Sequence, residues 1–486
     1  MILGIDQGTT GTRACLLEAG RITHTAYAQH AQITPQDGWV EHDADEIWAR
    51  TQDVLAALPA SRIDGIAIAN QGETVMIWDA DSGRPLHNAL VWQDTRTADV
   101  VARLAADPAI ATRVRSETGL RLDPYFSAAK LRWLLDHVPH KGRRIKAGTL
   151  DTWLIDRLTG GAVFATDSST AARTQLCDTR TLQWSPFLLE LFGIPREVLP
   201  EIRDSDAGFG VCTHPAVKGV PILASLVDQP AALAGHGCID RGDAKATLGT
   251  GAFVYVNTGS ERPSGEHGTL ATVAWRRATS GTGAAKTCYA LDGGVLAFGS
   301  AIGWLENLGL LARGELDAVL AARGTPQAAA TVIGVPALAG LGAPHWNRAA
   351  HGSWFGLTHA TTATEMVAAV ADGLACRVAE VVDAIERDAG IVIRELRVDG
   401  GLSRSPALVQ LLADVLGRPV VVAEEDEATV LGAATLAELR LGTLSEADVR
   451  ARRNRSRARH EPRMASGPRA TLRERFARAR ALTTQL

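Results

Sequence analysis

Residues 219–237 read GVPILASLVDQPAALAGHG, and the rest of the chain is organised around them. The apolar run Val220–Val227 has the length and branching of a buried strand. It stops at Asp228-Gln229-Pro230, and an Ala- and Leu-rich helical segment follows, with Pro230 suited to the first turn. A carboxylate where a buried strand hands over to a helix is where open α/β folds place their chemistry. The competing reading of Asp228 is a plain helix N-cap. The segment AKATLGTGAFVYVNTGS, residues 244–260, tips the balance, because it repeats the plan of the first residues of the chain.

That plan is strand, Gly/Thr turn, strand. Ile2–Ile5 leads into Asp6-Gln7-Gly8-Thr9-Thr10-Gly11-Thr12, and Arg13–Leu17 follows; Ala246–Leu248 leads into Gly249-Thr250-Gly251, and Phe253–Asn257 follows. Glycines let such a turn approach an anion closely, and its N–H groups and Thr hydroxyls can cradle phosphate. The GKS/T ending of a P-loop is absent. Two phosphate-sized turns, each opening one half of the chain, predict two related domains facing one nucleotide.

The 486 residues are 46% hydrophobic and 21% charged, enough to bury large cores. A net charge of −4 gives no reason to expect nucleic acid as a partner. Six scattered cysteines without CxxC pairs read as small buried hydrophobes in a reducing compartment. The N-terminus lacks the pattern of a signal peptide, and no apolar run approaches a membrane span, so a cytoplasmic protein without a membrane partner is expected.

Between the two turns, Asp43 caps a helix to Leu58, Ile63–Ala69 is a strand running into Asn70-Gln71-Gly72-Glu73-Thr74, and Val75–Trp78 resumes it. Polar and aromatic residues follow at Leu90–Arg96 and Asp123–Phe126, then a helix over Ser127–His137. Such residues suit a small-molecule pocket, although Trp92 and Tyr125 also fit a core and Arg96 a surface. In the second half Thr362 and Glu365 have capping-box spacing, with Gly390 closing that helix. Leu396–Val398 leads through Asp399-Gly400-Gly401 to a helix over Pro406–Leu416 capped by Ser405. The arginine-rich stretch from Arg452 reads as a solvated end with a last helix near Ala470–Ala481.

Several motifs in order resemble the FGGY carbohydrate kinases, and among them the glycerol kinase branch. They are IDQGTTGTR (5–13), WVEHD (39–43), VWQDTRT (91–97), DPYFS (123–127), DTW (151–153), LGTGAF (248–253), GLGAPHW (340–346) and RVDGG (397–401). YFSAAKLRWLLDH, residues 125–137, meets the family's first signature; Gly352–Asp372 nearly meets the second, with Ala371 in place of a larger apolar residue.

The resemblance implies an α/β fold of two duplicated actin-like (ribonuclease H-like) domains closing over a cleft. Its expected units are an N-terminal domain (1–235), a C-terminal domain (236–445) and an arginine-rich tail (446–486). It implies ATP and Mg2+ as cofactors, a polyol as substrate, and a homodimer or homotetramer. Carried over by residue, Asp228 matches the catalytic base. Glu73, Tyr125, Asp228 and Gln229 match ligands of the polyol hydroxyls, with Trp92 and Phe253 as apolar walls. Thr9, Thr10, Arg13 and Thr250 match phosphate and nucleotide contacts, Gly299, Gly401 and Ser405 lie near the nucleoside, and Asp6 lies where the metal-phosphate is held. The implied reaction is phosphorylation of a terminal hydroxyl of glycerol or a similar short polyol. A kinase for a four- or five-carbon polyol or ketose is the alternative, and an actin-like assembly protein the non-enzyme one.

One departure concerns the acceptor. Gly72 stands where the family's N-Q-R-E-T has arginine, the residue that with the glutamate holds a terminal hydroxyl. Either a neighbouring group fills the place, or the vacated volume admits a longer acceptor. Gly303 and Ser405 replace a glutamine and an asparagine near the nucleotide, a milder change.

Overall fold

The structure, a computed structural model, describes residues 1–59, 62–278, 285–323 and 332–483. Its N-terminal sheet has the strand order Ile222–Val227, Gly65–Asn70, Ile2–Gln7, Gly11–Glu18, Arg21–Gln29. The last three form an antiparallel meander, and the first two add in parallel. The C-terminal sheet repeats this plan around Ala244–Leu248: antiparallel to Ala252–Gly259, parallel to Leu396–Asp399, with Val420–Ala423 parallel beyond. The repeated turns predict two related halves, the resemblance implies an actin-like pair, and the two sheets have that arrangement.

Register decides where the chemistry emerges. Gln7 lies opposite Asn70, and Asn70 opposite Val227. The next residues of the three parallel strands, Gly8, Gln71 and Asp228, therefore leave the sheet at one edge. In the second sheet Thr247 lies opposite Asp399, which sets the second Gly/Thr turn beside Gly400. Gly400 has φ 86°, and a Cβ there would lie 2.7 Å from the carbonyl oxygen of Leu248. The turn needs glycine for both reasons.

The helices Asp228–Gly235 and Ala428–Leu441 cross between the sheets. Ala231, Leu233, Ala234, Val430, Ala433 and Ala434 share one core with Cys15 and Ala67 of the first sheet and Tyr255 and Trp275 of the second. Gly235 and Gly432 let the two helix backbones approach closely, so the two halves of the chain meet on a tight crossing lined by alanine and glycine.

Several local expectations hold as read. Asp43 accepts from Asp45 and Glu46, Thr362 and Glu365 form the capping box, and Ser405 caps Pro406–Leu416. Gly390 closes its helix in the left-handed region with φ 58°.

Other expectations are corrected. Val75–Asp79 does not resume Gly65–Asn70 but pairs with Ile145–Thr149 in a separate four-stranded sheet. Glu73, held at φ 60°, turns the chain out of the first sheet at that point. Arg96 is not a surface charge: its buried guanidinium binds Asp94 and Glu41 and lies 3.7 Å over the Trp39 ring. The residues before the last helix are exposed but not free, since Ser456–His460 forms the edge strand against Val420–Ala423. The terminal helix spans Ser466–Leu482 and packs Leu472 and Phe476 into the C-terminal core. No helix among the described residues is long and apolar enough to cross a membrane. All six cysteines are free, and only Cys288 is not fully buried.

Candidate active site

The two Gly/Thr turns face each other across a cleft of about 560 Å³. Each turn is closed by its own backbone, Gly8 N–H to the Gly11 carbonyl at 3.0 Å and Gly249 N–H to the Gly251 carbonyl at 2.9 Å. Thr9, Thr10 and Thr250 line the cleft from the two sides, with Glu73, Trp92, Tyr125, Asp228, Gln229 and Phe253 around them. Nine residues singled out from the sequence thus share one cavity.

Asp228 is the first residue of its helix, and Val227 occupies the N-cap position without a side-chain bond. The N-cap reading of Asp228 therefore fails. Its Oδ1 accepts from the Gln229 N–H at 2.7 Å. Burial pushes the Asp228 carboxyl up, while the positive charge of Lys245 pulls it down. Lys245 is buried, donates to Thr247 Oγ1 at 2.8 Å and binds the Gln229 side-chain carbonyl. A carboxylate in low dielectric, partly balanced by one lysine, is a competent proton acceptor.

The pocket walls are aromatic and come from both halves. The Trp92 ring meets Tyr125 edge-on at 5.5 Å and Phe253 at 6.3 Å. The loops that carry Trp92 and Tyr125 are tied together by the buried Lys130, whose Nζ reaches the carbonyls of Val91 at 3.2 Å and Tyr125 at 2.8 Å. Burial holds that lysine down to about 7.

Asp6 sits below the first turn, 4.0 Å from Arg13. Its carboxyl is raised to about 7 by burial, then by the charge of Asp228, with Arg13 opposing. Arg13 also reaches Glu427, at 2.8 Å, across the junction of the two halves. Gly299 opens a helix that packs on the second turn, with its N–H donating to the Gly249 carbonyl at 3.0 Å. Gly401 borders open space. Ser405 stands apart from this group: its hydroxyl donates to Asp317 at 2.8 Å and accepts from the Leu408 N–H in the helix cap.

Sequence reading missed Arg173, Asp292, Lys245 and Tyr255. Arg173 caps the C-terminal end of the short helix Ser168–Ala172 with no local motif, and its partner Asp292 is 119 residues away. Tyr255 lies on the strand that follows the second turn, its one signal in the sequence, whereas Asp292 lies on Ala285–Val295, for which no motif speaks.

Comparison with known proteins agrees with this geometry. The N-terminal domain pattern of the FGGY family of carbohydrate kinases matches residues 1–235, and its C-terminal domain pattern matches residues 244–440. The chain is 44% identical over 456 residues to a glycerol kinase of Alkalilimnicola ehrlichii, covering 91% of this chain and 90% of that one. It is 43% identical to a glycerol kinase of Brucella anthropi, covering 90% and 89% of the two chains. The crystal structure of Plasmodium falciparum glycerol kinase with ADP superimposes with a TM-score of 0.91 at 32% identity, covering 99% of this chain and 98% of that one. The chain belongs to the FGGY family of carbohydrate kinases.

Proposed function

We propose that the protein transfers the terminal phosphoryl group of ATP to a terminal hydroxyl of glycerol, giving glycerol 3-phosphate and ADP. The observation that carries this reading is the position of Asp228: a carboxylate with its proton affinity raised by burial, at a strand end between an aromatic pocket and two facing Gly/Thr turns. Phosphoryl transfer asks the protein for positioning, charge neutralisation and a carboxylate that accepts the acceptor's proton. Asp228 takes that proton. Glu73, Tyr125 and Gln229 hold the polyol hydroxyls between the Trp92 and Phe253 faces. Thr9, Thr10, Arg13 and Thr250 hold the phosphates, and Gly299 and Gly401 leave room for the nucleoside.

Magnesium fits the carboxylates present. The charge of Asp228 raises the Asp6 carboxyl, and the cation beside Asp6, Arg13 at 4.0 Å, is shared with Glu427 at 2.8 Å, which leaves negative charge that a divalent cation relieves. Among the described residues no three-ligand cage exists, as expected for an ion carried mainly by phosphate oxygens and water. When bound, the ion neutralises charge developing on the phosphates. A reducing, cytoplasmic setting completes the reading, since six thiols stay unpaired.

Acceptor length is tested by ADP release across three- to five-carbon polyols and ketoses. Glycerol is expected to give the highest kcat/KM. Preference for a tetritol or a ketose would overturn the assignment.

A further inference from the structure

Gly72 leaves a gap in donors beside Glu73, and the space around it is not vacant. A Cβ on Gly72 would point to Val227 Cγ2 at 2.7 Å and to the Arg173 stem at 4.0 Å, so a longer side chain there must displace Val227. Gly72 is outside the left-handed region, whereas Glu73 has φ 60°. The backbone therefore turns Glu73 toward Arg173, which lines the same cleft.

Arg173 is almost wholly buried. Its Nε donates to Glu73 Oε1 at 2.5 Å and its Nη1 to Asp292 Oδ2 at 2.9 Å, one carboxylate from each half of the chain. Its guanidinium carbon lies 5.8 Å from the Tyr125 ring centroid. Two edges of the planar fork are thus fixed, and among the described residues Nη2 has no partner. A hydroxyl both donates and accepts. Glu73 offers it an acceptor and Arg173 Nη2 a donor, side by side and held rigid by Asp292.

We propose that Arg173 determines acceptor specificity, donating through Nη2 to the distal hydroxyl of the polyol while Glu73 accepts from that same hydroxyl. This deepens the glycerol reading and rests on it. Glu73 narrows the class further: a carboxylate in place of the distal hydroxyl has no proton to donate to it and meets a like group at that end of the pocket. The site selects neutral polyols with a free hydroxyl at the end away from the reacting one.

The test compares glycerol with propane-1,2-diol, which lacks that hydroxyl, in the wild type and in Arg173→Lys and Arg173→Gln. Loss of a charged hydrogen bond corresponds to about 10- to 150-fold. Wild type should prefer glycerol by that range in kcat/KM and should reject glycerate. Arg173→Lys keeps a cation between Glu73 and Asp292, which protects the fold, but lacks the fork. It should lose about tenfold or more on glycerol while propane-1,2-diol and the KM for ATP stay within about twofold. Equal losses on glycerol and propane-1,2-diol, or no loss on either, would overturn the role of Arg173 alone. Wild type that uses glycerate as well as glycerol would overturn the pairing of Glu73 with the distal hydroxyl, without any variant having to fold. Wild type that phosphorylates no polyol would overturn the functional reading itself.

Discussion

The indole Nε1 of Trp92 donates to the hydroxyl of Thr9 at 3.0 Å, joining the aromatic wall of the cleft to the first Gly/Thr turn. The Trp92 backbone N–H is itself held by Thr74 at 3.2 Å, directly after Glu73. On the proposed function, an acceptor that settles Trp92 also orders the turn proposed to receive phosphate. Trp92→Phe keeps an aromatic face and removes the donor. The KM for ATP should rise about two- to tenfold, the span of a neutral hydrogen bond, with a smaller change in the KM for glycerol. Steady-state kinetics with each substrate varied in turn checks this split; an effect confined to glycerol would break the proposed link.

The helix crossing makes a second prediction. A Cβ on Gly432 would lie 1.7 Å from the Ala231 carbonyl oxygen, and one on Gly235 2.0 Å from the Ala428 carbonyl oxygen. Gly432→Val must push the helices apart. Overpacking of this kind costs about 1–3 kcal/mol, and it displaces Asp228 at the start of one of the two helices. Lower thermal stability together with at least tenfold lower kcat is expected. An unchanged melting temperature and kcat would show that the crossing is slack.

Asp6 predicts a trade between stability and activity. Its folded carboxyl is raised to about 7 from the usual 3.8. The folded state then keeps this proton across a range of pH where the unfolded chain has lost it, so stability falls as pH rises from about 4 to about 7. Asp6→Asn removes that penalty. The ligand-free variant should melt higher than wild type at pH 7.5, by up to a few kcal/mol at ~1.4 kcal/mol per pKa unit, with the difference vanishing near pH 4. It should also lose magnesium-dependent turnover. A melting difference independent of pH would contradict the raised carboxyl.

Much of this was legible because its causes are local. Thr362 with Glu365, Asp43 and Ser405 reveal caps through spacing of a few residues, and the two Gly/Thr turns declare themselves between short apolar runs. What stayed hidden depends on contacts between distant residues. Nothing near Val75 shows that it leaves the first sheet, because the cause is the left-handed turn at Glu73 and the partner is Ile145–Thr149. Arg96 reads as a surface charge until Glu41 and Trp39, more than fifty residues earlier, close around it. Arg173 shows the same limit inside the site, where its two carboxylates lie 100 and 119 residues away. The arginines of the tail likewise look solvated until their partners appear, as with Arg453 at Asp240 and Arg459 at Glu395.

The account turns on Asp228 as the acceptor of the hydroxyl proton. Asp228→Asn keeps the volume and the bond from the Gln229 N–H but cannot take up a proton. Turnover should fall about 10²–10⁴-fold, while the variant melts like wild type and still binds ATP. A folded Asp228→Asn protein with near-normal kcat for glycerol would contradict the assignment.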